Sequence, residues 1–277
     1  MYASYIMRLL KRYGNKLKEF KKIKDKVYQF IEDHKIKNIV EPFAGSMGCS
    51  YVIYEKFKDK LNYYGFENDE TLYNYVQILK KPSIKDAITN VKNIIDDYQK
   101  DRTQEKYEKI KEKINNNKTD EDIIMRMTYF TIRVGLIPRP QDKKNSKYEI
   151  NEDEINFYKS INYILNADFN ENIKQFNIKD TLFILDPPYY SSFNFHYEGT
   201  KIQDDNKKIV DNSIFYTNIK HNIMKNKKMN YIFYINSNEL LCEYYSPVEK
   251  YKINYNHIYN VNKKKETINI YSSFDLS

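Results

Sequence analysis

The residues best suited to chemistry in this sequence stand at the end of an apolar run at positions 182–189. Four apolar residues are followed there by Asp186-Pro187-Pro188-Tyr189. Because ligands of open α/β sheets bind beyond the carboxyl ends of the strands, Asp186 is predicted to face a site. The prolines lack N–H donors, which leaves carbonyls as acceptors beside the carboxylate, and Tyr189 offers a flat face for a planar ring. The competing interpretation is an ordinary structural Asp-Pro turn.

A second group of residues has special backbone chemistry. Its sequence is Glu41-Pro42-Phe43-Ala44-Gly45-Ser46-Met47-Gly48. Average usage would give roughly 19 glycines in a chain of this length, whereas this chain has 6, so its glycines mark places where backbone geometry is specified. A short apolar run precedes the group, a helical pattern follows at 51–57, and a strand-like run at 63–66 ends in the acidic Glu67-Asn68-Asp69-Glu70. This succession is typical of the opening of a doubly wound α/β sheet.

The rest of the chain predicts the elements that position these two groups. Apolar residues at three- and four-residue spacing predict helices at 17–31, 84–98, 123–134 and 212–226. Apolar runs predict strands at 163–165, 182–185 and 231–235, and a closing hairpin at 250–258 and 267–271. The charge-rich stretch 100–122 predicts a solvated helix and loop, and 135–148 a basic loop. We therefore predict an α/β fold with a doubly wound, mostly parallel sheet formed by residues 1–74 and 160–277, and a helical insert at 75–159.

Composition narrows the partners and the compartment. The 277 residues carry a formal net charge of +8, which favours a polyanionic partner. Two cysteines exclude a disulfide scaffold and a four-thiolate zinc site, and four histidines without paired spacing argue against a metal centre. With no apolar run near the length of a membrane helix and no signal-peptide pattern, we expect a soluble, intracellular, cytoplasmic protein without a membrane partner. Monomer and homodimer both stay open.

Taken together, the motifs resemble those of the Dam-like (alpha-group) adenine-specific DNA N6-methyltransferases. The resemblance is carried by Asp-Pro-Pro-Tyr after a strand, by Glu-Pro-Phe-Ala-Gly upstream, and by Arg-Tyr-Gly-Asn-Lys at 12–16. The order also matches: cofactor motif, recognition insert, catalytic motif. Residues 166–169 fit the family's Gly-Asp-Phe segment, and 236–238 fit its Ser-Asn segment. The resemblance covers most of 8–75 and 160–275, fades in the insert, and implies a Rossmann-like methyltransferase fold that binds S-adenosylmethionine (AdoMet).

The resemblance also implies roles for the residues around the cofactor. Gly45 lets the backbone approach AdoMet, and Glu67 accepts the ribose hydroxyls, with Asp69 as the alternative. Asp168 accepts from the adenine amine while Phe169 packs on that ring. The implied cofactor-binding set is Arg12, Tyr13, Lys16, Glu41, Pro42, Phe43, Gly45, Glu67, Asp168, Phe169 and Asp186. Against these roles, aromatic residues such as Phe43 and Phe169 are more often core residues, and a lysine that starts an amphipathic helix is normally solvated.

For catalysis, the resemblance implies that Asp186 and the Pro187 carbonyl accept the two N–H bonds of an adenine amine. The nitrogen is thereby driven towards a tetrahedral form whose lone pair attacks the methyl group. Pro188 stiffens the turn, and Tyr189 stacks on the base, which must be flipped out of a duplex or already single-stranded. The process needs no metal.

Nucleic-acid contact is predicted for the insert. Arg126 and Arg133 lie seven residues apart on a predicted helix, two turns along roughly one face. Arg139, Lys143, Lys144 and Lys147 follow in the basic loop, where they suit phosphate neutralisation. A solvated surface that keeps the protein soluble is the competing interpretation.

Three departures from the family pattern leave alternatives open. Met47 stands where the family has a second glycine, Ala167 replaces another glycine, and the insert lacks the usual Asn- and Gly-rich recognition segment. The first rival is therefore an adenine methyltransferase acting on RNA or single-stranded nucleic acid. The second is a catalytically silent nucleic-acid-binding subunit that retains the fold. A glutamine-amide methyltransferase ranks lower because it would carry Asn in place of Asp186.

Overall fold

The structure is a computed structural model. It describes residues 16–116, 118–131, 137, 139–141, 152–165, 168–187, 213–226, 228–236, 239–246, 251–258 and 265–277. Within these residues the chain divides into two compact units, Asp69–Ser160 and a unit formed by Asn15–Asn68 with Ile161–Ser277.

The second unit is built on a seven-stranded sheet. Its strands are β1 (Asn38–Glu41), β2 (Asn62–Glu67), β3 (Asn162–Leu165), β4 (Thr181–Leu185), β5 (Asn230–Asn236), β6 (Tyr251–Ile258) and β7 (Lys265–Ser272). Their order across the sheet is β3-β2-β1-β4-β5-β7-β6. The first five are parallel, and β7 pairs antiparallel with both β5 and β6, so β7 alone runs in the opposite direction. This topology is that of the Rossmann-like methyltransferase fold, which confirms the predicted fold class.

Helices cover both faces of this sheet. The helices of the unit are α1 (Leu17–Asp33), α2 (Gly48–Phe57), α8 (Phe169–Lys174), α9 (Ser213–Asn218, continued by a π-helical turn, Ile219–Met224) and α10 (Glu239–Tyr245). On one face, Tyr54 of α2 packs edge-on against Tyr63 of β2, with ring centroids 5.7 Å apart. On the other, Tyr245 of α10 packs against Phe233 of β5 at 5.2 Å. A central strand such as β4 is therefore buried along its whole length, as expected of a parallel strand between two helical layers.

The helix α1 shows how the apolar pattern builds this layer. Its buried positions Phe20, Ile23, Val27 and Ile31 recur every three or four residues. Tyr28 on the same helix donates a hydrogen bond of 2.8 Å to the Val52 carbonyl of α2, which joins the two helices. The helix predicted over 17–31 is thus confirmed.

The first unit, Asp69–Ser160, is helical. It contains α3 (Glu70–Leu79), α4 (Ile84–Lys100), α5 (Gln104–Asn116), α6 (Asp120–Thr131) and α7 (Glu152–Ser160). The helix α6 begins with a reciprocal cap, in which Thr119 Oγ1 accepts from the Asp122 amide at 3.1 Å and the Asp122 carboxylate accepts from the Thr119 amide at 3.2 Å. Thr119 is therefore the N-cap of α6.

The stretch 100–122 contains the predicted helix, but this helix is not wholly solvated. Its helix α5 buries Tyr107, Ile110 and Ile114, at spacings of three and four residues. The many lysines and glutamates between them face solvent, which hid the apolar stripe in the sequence. None of the described helices is long and apolar enough to cross a membrane.

Candidate active site

Carboxylates stand at or just beyond the carboxyl ends of three adjacent strands. Glu41 ends β1, Glu67 ends β2, and Asp186 follows directly after β4. The strand order reverses between β1 and β4, and this switch point is where open α/β sheets bind their ligands. The sequence-predicted residues Glu41, Glu67 and Asp186 therefore lie along one edge of the sheet.

Asp186 forms an ion pair with Lys16, the residue that precedes α1. Lys16 Nζ lies 3.0 Å from Asp186 Oδ1, and only 4 % of the lysine side chain is exposed, against 28 % of the aspartate. Desolvation raises the pKa of Asp186, and the positive charge of Lys16 counteracts that shift. Lys16 is therefore not a solvated helix residue but part of the surroundings of Asp186.

Glu41 is buried beside the same centre. Its Oε1 accepts hydrogen bonds from the Ser50 amide at 2.9 Å and from the Ser50 hydroxyl at 2.6 Å, and these bonds tie β1 to the first turn of α2. Desolvation raises the pKa of Glu41 to about 7, the bonds from Ser50 oppose this shift, and the negative charge of Asp186 adds to it. Glu41 therefore changes its charge near neutral pH.

The turn between β1 and α2 is held by the end of β2. Gly45 has a left-handed backbone with φ of 48°, and a Cβ built at this position would meet no atom within 4 Å. Glu67 Oε2 accepts from the Gly45 amide at 3.0 Å, and Oε1 accepts from the Asn68 amide at 3.0 Å. The turn thus presents open space where a ligand can approach the backbone.

The departure at Met47 leaves this turn intact. Met47 has φ of 49°, which is the left-handed conformation that a glycine would adopt, and stands directly before α2. Its side chain is 1 % exposed, so it lies in the interior and does not project into solvent at the turn.

The remaining residues of the cofactor motif are core residues as well. Pro42 is buried, and Phe43 is half-buried and packs against the hydrophobic core on the α8–α10 face of the sheet. Pro187, next to Asp186, is also buried. Phe43 thus fits the interpretation as a core aromatic.

The two other acidic candidates begin helices. Asp168 is exposed, and its Oδ1 accepts from the Asn170 and Glu171 amides at 3.0 and 3.1 Å, which caps α8. Phe169 is the first residue of that helix. Asp69 caps α3 in the same way, through the Thr71 and Leu72 amides. Of the two carboxylates weighed for the ribose, Glu67 is therefore the one at the sheet edge.

Sequence reasoning did not identify Tyr163 of β3. Its hydroxyl lies 2.7 Å from the Gly45 carbonyl oxygen and 3.4 Å from Glu67 Oε2. Nothing in the apolar run 163–165 separates this tyrosine from an ordinary core residue. The sequence offers one weak signal for its position, the alternation of side chains along a strand, which places Tyr163 and Leu165 on the same face.

The two described insert candidates differ in exposure. Arg126 is 8 % exposed, and its Nη1 donates to the Ile114 carbonyl at 3.3 Å, which links α6 to α5 inside the helical unit. A side chain this deeply buried offers little surface to a nucleic acid, so we correct the expectation for Arg126 to an internal role. Arg139 is exposed.

Several other predicted site residues lie outside the described residues. They are Arg12, Tyr13, Arg133, Lys143, Lys144, Lys147, Pro188 and Tyr189. The departure Ala167 lies outside them too. In the part of the chain that is described, no group of three or more His, Cys, Asp or Glu side chains is arranged to hold a metal ion.

The chain has few detectable similarities to known proteins. No protein family matches the chain, and no curated protein does. Among solved structures, the chain is similar to the N-terminal domain of human METTL16, crystallised in complex with SAH. The identity is 9 % and the TM-score is 0.41, over 94 % of this chain and 71 % of the other. Because a likeness this weak carries no functional argument, we argue function from the chain's own residues.

Proposed function

We propose that this protein is an AdoMet-dependent methyltransferase that modifies the exocyclic amine (N6) of a flipped-out adenine in DNA. The observation that carries this proposal is the position of Asp186. It follows the central strand β4 at the switch point of the sheet, it is paired with a buried lysine, and Pro-Pro-Tyr follows it in the sequence. A structural Asp-Pro turn does not require a buried lysine as a partner.

The residues at the sheet edge fit AdoMet. Gly45 leaves open space beside the turn, and Glu67 lies at the end of the neighbouring strand. A carboxylate has about four lone-pair positions, and backbone amides occupy one on each Glu67 oxygen. A carboxylate at the end of this strand is suited to accept the ribose hydroxyls. AdoMet, when bound, supplies a methyl group activated by a positive sulfonium.

The charges around Asp186 also suit a cationic ligand. Among the described side chains there, Glu19 and Glu41 are each 4 % exposed, and Lys16 is the cation that pairs with Asp186. The negative charge of Glu19 raises the pKa of Asp186, and the negative charge of Asp186 raises the pKa of Glu41. A positive sulfonium near these carboxylates would be stabilised by their negative charges.

The chain's own residues would prepare the amine for attack. An adenine amine is a weak nucleophile because its lone pair is delocalised into the ring. The Asp186 carboxylate and the Pro187 carbonyl would accept hydrogen bonds from its two N–H groups, which localises the lone pair on a tetrahedral nitrogen. Lys16 would hold Asp186 ionised, since its charge opposes the desolvation that raises the pKa of the carboxyl. Holding nucleophile and methyl donor in line then supplies much of the rate acceleration.

The polymer substrate is chosen on charge and on the motif resemblance. A formal charge of +8 and the basic residues Arg139, Lys143, Lys144 and Lys147 favour a nucleic acid. We rank DNA above RNA because the Asp-Pro-Pro-Tyr motif and its order resemble the DNA enzymes. An RNA or single-stranded substrate and a silent nucleic-acid-binding subunit remain the two rivals, and the experiment below separates them.

The experiment is transfer of a tritiated methyl group to duplex DNA, single-stranded DNA and RNA, followed by nucleoside analysis of the product. We expect the labelled product to be N6-methyl-2′-deoxyadenosine. The ribonucleoside would select the RNA rival. AdoMet binding by calorimetry without transfer to any polymer would select the silent subunit.

A matched pair of variants assigns the chemistry to Asp186. Losing a charged acceptor costs about 1.5 to 3 kcal/mol in hydrogen bonding alone, so Asp186→Ala is expected to abolish transfer. Asp180→Ala is the control, because Asp180 precedes the same strand at its opposite end and lies 3.8 Å from the exposed Lys37. Transfer by folded Asp186→Ala within threefold of wild type would refute the assignment.

A further inference from the structure

Gly45 is held at both of its peptide groups by side chains from neighbouring strands. Its amide donates to Glu67 Oε2 of β2 at 3.0 Å, and its carbonyl oxygen accepts from the Tyr163 hydroxyl of β3 at 2.7 Å. Neither bond belongs to a helix or to a strand ladder. Two side chains that are distant from Gly45 in the sequence therefore help to hold this turn.

Tyr163 contacts both members of this arrangement. The phenol carries one proton, and the shorter distance, 2.7 Å against 3.4 Å, assigns that proton to the Gly45 carbonyl. The hydroxyl oxygen still lies beside Glu67 Oε2. The tyrosine is 4 % exposed, so its ring is fixed by packing and its hydroxyl is held in a single place.

The ring of Tyr163 also lies under the turn. A Cβ built on Gly65 of β2 would stand 3.0 Å from Tyr163 Cδ2 and 3.0 Å from Ala44 Cβ. The ring is thus in the layer that supports residues 44–47. Loss of the hydroxyl alone would leave this packing in place and remove the bond to Gly45.

We propose that Tyr163 is a positioning residue of the cofactor site. It donates to the Gly45 carbonyl and thereby holds the turn whose amide binds the Glu67 carboxylate, in the arrangement that receives the ribose end of AdoMet. It acts through Gly45 and Glu67 without touching the ligand. This inference rests on the proposed function, because Glu67 is taken there as the acceptor of the ribose hydroxyls.

The test is Tyr163→Phe, with binding of S-adenosylhomocysteine measured by calorimetry. The expected loss of affinity is about three- to tenfold, which corresponds to one hydrogen bond. Tyr245→Phe is the matched control, because that tyrosine is also buried and donates a bond of 2.8 Å to a backbone carbonyl, that of Tyr216. Both variants are expected to lower the melting temperature, whereas only Tyr163→Phe is expected to weaken binding.

A second variant separates positioning from mere stability. If Tyr163 acts through the Gly45–Glu67 contact, Tyr163→Phe in a Glu67→Gln background should weaken binding by less than twofold. Hydrogen exchange of residues 44–47 should accelerate in Tyr163→Phe and stay unchanged in Tyr245→Phe.

The outcomes are distinct. Binding by Tyr163→Phe within twofold of wild type, or full additivity with Glu67→Gln, would overturn the positioning role while leaving the proposed function in place. Wild-type protein that binds neither AdoMet nor S-adenosylhomocysteine would refute the proposed function itself, and the role of Tyr163 with it. Should Tyr163→Phe fail to fold, hydrogen exchange of residues 44–47 is measured in Glu67→Gln alone, where it must be faster than in the wild type. Unchanged exchange would overturn the proposed positioning role.

Discussion

The side chain of Met47 occupies the space that a side chain at Gly65 would need. A Cβ added to Gly65 would stand 2.5 Å from Met47 Sδ, which is closer than side-chain atoms approach one another. Met47 has a left-handed backbone in the turn between β1 and α2, and Gly65 lies within β2 beneath it. The chain thus tolerates a methionine at a position suited to glycine because a glycine on the adjacent strand leaves room for it.

The first prediction concerns this pair. Gly65→Ala should destabilise the protein by about 1 to 3 kcal/mol, the usual cost of overpacking a well-packed core. In a Met47→Ala background the same substitution should cost at least about 1 kcal/mol less, because the sulfur is no longer in the way. Urea unfolding of the four proteins in the double-mutant cycle measures both values. Equal costs in the two backgrounds would show that the pair is not coupled.

The second prediction contrasts the buried Arg126 with the three lysines Lys143, Lys144 and Lys147 of the insert. Each lost phosphate contact should flatten the slope of log affinity against log salt by about 0.9 on duplex DNA. Replacing Lys143, Lys144 and Lys147 by alanine should therefore flatten it by up to about 3. Arg126→Met should leave the slope unchanged and lower the free energy of unfolding, since Arg126 is buried and bonded to the Ile114 carbonyl. An unchanged slope in the triple variant would assign these three lysines to ordinary surface.

The elements of the sheet were predictable because their signals are local. The apolar run before Asp186 and the acid after 63–66 fix where strands end, and the end of a strand fixes where a side chain can meet a ligand. The spacing of apolar residues likewise predicts a helix over 84–98, and the structure confirms it as α4, at Ile84–Lys100. These patterns report interactions between residues a few positions apart.

The contacts that complete the site were not predictable, because they join distant parts of the chain. Lys16 meets Asp186 across 170 positions, and Tyr163 meets Gly45 across 118. Each of these residues has an ordinary local interpretation, as a solvated lysine or a core tyrosine. The prediction that Arg126 contacts nucleic acid was wrong for a related reason. Helical spacing specifies the face on which a residue lies but not whether that face is turned to solvent or to another helix.

The third prediction concerns the pH dependence of stability. The folded protein raises the pKa of Glu41 to about 7, so the folded state holds a proton that the unfolded chain loses at lower pH. Stability contributed by this group is therefore lost as the pH rises from about 4.5 towards 7, by up to about 3 kcal/mol. Urea unfolding at pH 5, 6, 7 and 8 should show this decline in the wild type.

A comparison of two variants isolates Glu41 from other titrating groups. Glu41→Gln keeps an oxygen acceptor for Ser50 but cannot ionise, so the decline should be smaller in this variant. Glu32→Gln is the control, because Glu32 is 52 % exposed and pairs with Lys56 on the surface. If Glu41→Gln and wild type lose stability in parallel, Glu41 is not the group that titrates.

The fourth prediction concerns the acid limb of activity and rests on the Lys16–Asp186 pair. In the proposed reaction Asp186 must be ionised to accept the amine, so we expect activity to fall as the pH drops through the pKa of this carboxyl. The charge of Lys16 opposes the desolvation that raises this pKa, and an adjacent cation typically lowers a carboxyl pKa by one unit or more. Lys16→Met should therefore move the acid limb of kcat/KM upward by about one pH unit.

Lys16→Arg, which keeps the charge, should hold the limb close to its wild-type position, and Lys18→Met, at an exposed position on α1, should not move it. Single-turnover rates between pH 5 and 9 measure the limb for all four proteins. An acid limb that stays in place in Lys16→Met would mean that the ion pair does not set the ionisation of Asp186.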